Sequence, residues 1–144
     1  MREIKGLLVT HKRAELNDLE RLCAPSAEEI REKLLCEADE AYVLQTCNRA
    51  EFYVSGASRD VLEDLANELE VRGGTGRYVG HTEATRHLMR LASGLESMVV
   101  GEDEILGQVR DAYHEASDDG CLDGPLDTAV LKALHVGERA RDET

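Results

Sequence analysis

Apolar residues recur with two different periods along this chain, and the change falls near residue 80. Before it, short apolar runs alternate with helical patterns. Ile4 to Thr10 reads as a buried strand. Asn17-x-x-Glu20 and Ser26-x-x-Glu29 have the form of capping boxes, which predicts helices over about 17–23 and 26–36. Glu40 to Cys47 and Glu51 to Ser55 read as two strands joined by the short polar link Asn48-Arg49, a plausible hairpin. Ser58 can cap a helix over about 59–70, with Val61, Leu62, Leu65 and Leu69 at helical spacing. Gly73-Gly74-Thr75-Gly76 breaks it, and Arg77 to Val79 is a short last strand. The order β-α-β-β-α-β predicts an α+β, ferredoxin-like sheet with helices on one face.

After Gly80 only the helical period remains. Thr82 can cap a helix carrying Leu88, Leu91, Leu95 and Met98. A second helix is expected from about Asp103 to Ser117, ended by Asp118-Asp119-Gly120. A third starts near Pro125, with Val130, Ala133, Leu134 and Gly137 inward. The chain thus divides into a sheet lobe, 1–79, and a helical lobe, 80–144.

Composition adds one strong signal. Asp plus Glu number 30 against 17 Lys plus Arg, a formal charge of −13, and the basic residues are 13 Arg and 4 Lys. The acids are spread along the chain, which suggests adaptation to high salt, a halophilic composition. Such a charge opposes non-specific nucleic-acid binding, which needs clustered cations, but leaves room for a specific RNA contact through a few Arg. No apolar run nears the roughly 18 residues of a membrane span. Met1-Arg2-Glu3-Ile4 opens no signal region, so a cytoplasmic chain with reduced thiols is expected. The four cysteines have no C-x-x-C spacing and no paired His motif, so no metal site is expected.

Among the candidate chemical groups, Cys47 lies at a strand-to-turn junction between Thr46 and Asn48-Arg49. A catalytic thiol needs exposure, a lowered pKa and groups to hold its substrate. Arg49 could favour the thiolate or clamp a carboxylate, and Asn48 could donate to an oxyanion. Taken alone, a small core cysteine is as good a reading. His87 shares a helix with the inward Leu88 and Leu91, where a histidine is more often structural than catalytic. The segment from Gly94 to Gln108 carries three Gly, three acids near a helix start (Glu102, Asp103 and Glu104), Ser97 and Gln108. Acids at a helix start are ordinary dipole complements. The Gly spacing and the Ser97–Gln108 pair are harder to explain as packing. The loop Gly73 to Gly76 follows a helix rather than a strand and is no phosphate loop.

Two segments together change the balance. Thr46-Cys47-Asn48-Arg49 followed by Glu51, and Ala92 to Met98 continuing through Gly101-Glu102 to Ile105-Leu106-Gly107-Gln108-Val109, resemble the signatures of the glutamyl-tRNA reductase family in order and spacing. Arg86-His87-Leu88 stands where that family has its histidine. The resemblance implies an NADPH-dependent oxidoreductase that converts glutamyl-tRNA to glutamate-1-semialdehyde in tetrapyrrole (porphyrin) biosynthesis. It implies that Cys47 attacks the aminoacyl ester to form a thioester, that His87 assists catalysis, and that Thr46, Asn48, Arg49, Ser97, Glu102, Asp103, Glu104 and Gln108 bind the glutamyl group. Arg49 would face the side-chain carboxylate, and Glu51 or Glu102 the ammonium.

The family commonly has Glu-Pro-Gln where this chain has Glu102-Asp103-Glu104, a change that removes turn rigidity and adds a charge. The resemblance further implies that the NADPH and dimerisation domains follow Thr144. This chain would then be a fragment capable of acyl transfer or hydrolysis alone. Glutamyl-tRNA is the implied substrate, with a homodimer and hand-over to the downstream aminomutase implied for the full-length protein. The rival readings are a non-catalytic tRNA- or protein-binding module on the same fold, and an unrelated thiol hydrolase.

Overall fold

The computed structural model describes residues 2–10, 16–46, 48–57, 60–70, 76–95 and 104–142. Of the positions singled out above, Cys47, Ser58, Gly73 to Thr75, Ser97, Met98, Gly101, Glu102 and Asp103 lie outside these segments.

The elements are β1 (Ile4–Thr10), α1 (Leu16–Cys23), α2 (Ala27–Leu35), β2 (Glu40–Gln45), β3 (Arg49–Ser55), α3 (Val61–Glu68), β4 (Arg77–Val79), α4 (His81–Ala92), α5 (Ile105–Asp118) and α6 (Pro125–Asp142). The four strands form one sheet in the order β2-β3-β1-β4, antiparallel at every junction. This is the expected α+β arrangement, with the first helical connection split in two. Ser26 does cap α2, its hydroxyl accepting from the Glu29 N–H at 3.1 Å.

Other boundaries moved, for local reasons. Asn17 lies inside α1, which begins at Leu16. Thr82 lies in the first turn of α4, and Gly80 occupies the capping position. α3 stops short of the expected residue 70, where Glu70 turns to a left-handed φ of 58°. β2 ends at Gln45 and β3 begins at Arg49, two residues earlier than the apolar pattern suggested.

The helices between the strands, α1–α3, share one face as expected; the pattern did not show that the helical segment closes the other. Side chains alternate across a strand. Leu7, Val9, Ala41, Val43, Ala50, Phe52 and Val54 pack with Leu22, Ile30, Leu34, Val61 and Leu65 of α1–α3. Ile4, Leu8, Tyr42, Leu44 and Tyr53 pack with Leu88, Leu91, Ile105, Val109, Val130 and Leu134 of α4–α6. The helical segment therefore covers the second face of the same sheet. As a result every residue of β3 is buried, including its polar ones.

α4 and α6 approach closely because position 137 has no side chain. A Cβ there would come within 2.6 Å of the Ala92 carbonyl oxygen.

Candidate functional site

The hairpin between β2 and β3 is built by Thr46. Its N–H donates to the Arg49 carbonyl at 2.9 Å, and its hydroxyl oxygen accepts from the N–H groups of Asn48 and Arg49, each at 3.2 Å. A Thr oxygen that satisfies nearby backbone donors stabilises a tight turn. The end of β2 is tied down separately, since the Gln45 side-chain amide donates to the carbonyls of Leu22 and Pro25 at 3.0 Å. Cys47 falls between Thr46 and Asn48 in sequence.

On the face of β3 toward α4, alternation lines up Arg49, Glu51 and Tyr53. These are buried: Arg49 is 2% exposed, and Glu51 and Tyr53 are fully covered. Buried polar groups persist only when paired, and these pair with one another. Arg49 Nη1 donates to Glu51 Oε2 at 3.0 Å. His87 on α4 places Nε2 at 3.0 Å from the same oxygen. The Tyr53 hydroxyl donates to Glu51 Oε1 at 2.6 Å. His87 is 5% exposed and lies in the same buried stripe of α4 as Ala84, Leu88 and Leu91.

Burial alone pushes the Glu51 carboxyl up. The hydrogen bond and charge of His87, the Tyr53 hydroxyl and the Arg49 charge outweigh it, so Glu51 ionises below the ordinary carboxylate range. Burial, together with the Glu51 charge, raises the phenols of Tyr42 and Tyr53 well above their ordinary value, and both stay neutral. Tyr42 uses its hydroxyl to hold α5, donating to the Val109 carbonyl at 2.9 Å.

Four sequence-predicted residues therefore occupy one region: Thr46 and Asn48 in the turn, Arg49 beneath it, and His87 on the same Glu51 carboxylate as Arg49. Glu51, suggested above as a partner for a substrate ammonium, is committed on both oxygens to Arg49, His87 and Tyr53. Tyr53 was missed entirely, because polar groups at every second position of a strand read locally as a solvent-facing side. Glu104 stands exposed at the start of α5 without a side-chain cap bond. Gln108 is exposed one turn on, lining a groove of about 200 Å³ with Gln45 and Asp111. A larger cavity of about 480 Å³, with Lys5, Val54, Asp60 and Tyr78 in its wall, lies elsewhere. Val54 is five residues from Arg49 along β3, roughly 17 Å.

Among the described residues the sheet is wholly antiparallel and gives no parallel β-α-β unit with a Gly-rich turn of the kind that cradles a dinucleotide. The described residues do not fit NADPH, and no step through it is assigned to them.

Comparison with known proteins agrees with the motifs. The family described as glutamyl-tRNAGlu reductase, N-terminal domain, matches residues 7–144. The glutamyl-tRNA reductase of Halobacterium salinarum is 46% identical over 151 aligned positions, covering 98% of this chain and 33% of the relative. That of Methanosarcina barkeri is 39% identical, covering all of this chain and 32% of the relative. The solved structure of glutamyl-tRNA reductase from Methanopyrus kandleri superposes with a TM-score of 0.84 at 42% identity, covering 98% of this chain and 35% of that one. The chain spans about a third of the length of these relatives, and within that span it belongs to the glutamyl-tRNA reductase family, as the family's N-terminal domain.

Proposed function

We propose that this chain performs the acyl-transfer half of glutamyl-tRNA reduction, with Cys47 as nucleophile. The observation that carries the reading is the buried Arg49–Glu51–His87 cluster directly after the Thr46–Arg49 turn, in a chain of this family. The Cys47 thiolate adds to the ester carbonyl that joins glutamate to the tRNA ribose. The tetrahedral adduct expels the ribose oxygen, which takes a proton, and a glutamyl thioester remains on Cys47. His87 is the proton-transfer group of this step. Asn48 offers an amide donor to the oxyanion. Arg49, fixed by Glu51, faces the side-chain carboxylate of the substrate. Ser97, Glu102, Asp103, Glu104 and Gln108 complete the pocket, and Thr46 contributes by holding the turn. Without a reductant the thioester is hydrolysed, giving glutamate and free thiol. Reduction to the aldehyde belongs to NADPH bound by parts of the relatives beyond the span shared here. A homodimer and transfer of the product to an aminomutase belong to that larger protein, in the cytoplasm.

The test is turnover of charged tRNA by the chain. Glutamate is expected to be released from glutamyl-tRNA, and aspartyl- or glutaminyl-tRNA to be left largely intact. Arg49→Lys is expected to lower kcat/KM for glutamyl-tRNA by about 10²-fold, mostly through KM, because an ammonium cannot reproduce a bidentate grip on a carboxylate. Binding of glutamyl-tRNA with no release of glutamate would favour a tRNA-binding module. Equal release from all charged tRNAs, or an Arg49→Lys chain with unchanged KM, would contradict the reading.

The acidic surface supports a halophilic origin. Exposed acids such as Glu28, Glu29 and Glu32 on α2, and Asp111 and Glu115 on α5, repel one another in dilute buffer. Raising KCl from about 0.1 M to about 1 M shortens the screening length from about 10 Å to about 3 Å. The midpoint of thermal unfolding should rise over that range. A flat or falling midpoint would remove this part of the account.

A further inference from the structure

We propose that Glu51 and Tyr53 are positioning residues for the reaction, Glu51 fixing His87 with its proton on Nε2 while holding the Arg49 guanidinium, and Tyr53 fixing Glu51. The inference rests on the acyl-transfer reading and deepens it. Glu51 is fully buried and can only accept hydrogen bonds once ionised. Its Oε2 lies 3.0 Å from both Arg49 Nη1 and His87 Nε2. The nitrogen facing an ionised carboxylate must carry the hydrogen, so in the neutral ring Nδ1 holds the lone pair. Nδ1 is then the nitrogen that accepts and returns the proton during acyl transfer. The same oxygen that sets the histidine tautomer also sets the Arg49 fork, so one carboxylate places the proton-transfer group and the carboxylate-binding group together.

Tyr53 is what keeps that carboxylate in one rotamer. Its hydroxyl donates to Oε1 at 2.6 Å, and its ring is clamped against Tyr42 with centroids 6.0 Å apart. A buried carboxylate without this donor would lose one of its three charge-stabilising partners and gain rotational freedom. Neither residue is placed against substrate; both act through His87 and Arg49.

The experiment uses the whole 144-residue chain labelled with ¹⁵N, and reads the imidazole nitrogens of His87 by long-range proton–nitrogen spectra at a pH above the ordinary imidazole range, alongside glutamate release from glutamyl-tRNA. The unsubstituted chain should show His87 with its proton on Nε2. Glu51→Gln should mix or invert the tautomer and lower kcat by about 10²-fold or more. Tyr53→Phe keeps the ring packing and should lower kcat by about tenfold, with KM changed far less and the Nε2–H tautomer weakened. Tyr53→Phe also carries the test if Glu51→Gln fails to fold. A proton on His87 Nδ1 in the unsubstituted chain would overturn the inference whatever the activity. So would a folded Glu51→Gln chain, or the Tyr53→Phe chain where Glu51→Gln fails to fold, with unchanged tautomer and rate. A correct tautomer in a chain that releases no glutamate would instead overturn the acyl-transfer reading.

Discussion

A chain carrying Cys47→Ala is expected to leave glutamyl-tRNA essentially intact, with glutamate release slower by about 10⁴-fold or more. The expectation follows from what the rest of the site can do without the thiol. On the proposed reading Arg49 and His87 orient and polarise the ester, but a positioned ester still needs an attacking atom. Water in that role lacks both the nucleophilicity and the fixed placement of a side chain. Cys47→Ser is a milder chemical change with nearly the same outcome, because a hydroxyl is a far weaker nucleophile than a thiolate at neutral pH. The Thr46 hydrogen bonds that close the hairpin and the Glu51 cluster are made by residues other than position 47. A thermal midpoint near that of the unsubstituted chain therefore separates loss of the nucleophile from loss of fold. An alanine chain retaining more than about a tenth of the activity would exclude Cys47 from the role.

The second large effect is structural. Glu40, at the start of β2, is fully buried and acts as a cap for α6 from a distant part of the chain. One carboxylate accepts from the N–H groups of Asp123, Gly124, Leu126 and Asp127 at 2.7–3.0 Å and from the Ser55 hydroxyl at 2.5 Å. The first turn of a helix has N–H groups without intrahelical partners and a partial positive charge, so a carboxylate there is doubly favoured. Pro125 removes one donor that would otherwise need a partner. Arg2 adds a further charge, with Nη2 at 3.6 Å from Glu40 Oε1.

Glu40→Ala leaves several buried donors unsatisfied at once and should cost about 3–5 kcal/mol. For a chain of this size that lowers the thermal midpoint by roughly 10–15 °C. The pH dependence has a definite sign. Burial raises the Glu40 carboxyl, but the Ser55 hydroxyl and the α6 N–H groups more than offset it, and Glu40 ionises below the ordinary range. A carboxylate with a lowered folded-state pKa contributes stability above its unfolded pKa and loses it as pH falls through the folded value. Denaturation series should therefore show the widest gap between the unsubstituted chain and Glu40→Ala at neutral pH. The gap should narrow below the ordinary Glu pKa of about 4.3. A constant gap across acid pH would mean that the packing of the side chain, not its charge, is what matters.

Much of the sheet was legible because its apolar runs are short and bounded by turn residues. Ser26 announced its helix through its place in the sequence, and its hydroxyl does accept from the Glu29 N–H as an N-cap. The helix start expected at Thr82 failed because a Thr-x-x pattern also occurs one residue inside a helix, where only the local φ and ψ decide. The larger miss was the second layer. Arg49, Glu51, Tyr53 and Ser55 alternate with Ala50, Phe52 and Val54, a pattern that on a one-layer sheet means a wet outer face. Here that face is closed by α4–α6, so the alternation marks a buried polar stripe. Nothing local to β3 reveals this, because the covering groups come from His87 and from the residues around Pro125, 36 and about 70 positions later in the chain. The proposed nucleophile is the opposite case. Local chemistry left Cys47 balanced against an ordinary core cysteine, and the family motifs, not the geometry of the thiol, supply its assignment.

The most direct test of the central claim is the mass of the intact chain after brief exposure to glutamyl-tRNA and an acid quench, followed by peptide mapping. The account predicts a single glutamyl adduct on Cys47, labile to hydroxylamine as a thioester is, and absent from Cys47→Ala. Glutamate release with no adduct at Cys47 at any quench time, or an adduct on Cys23, Cys36 or Cys121 instead, would contradict it.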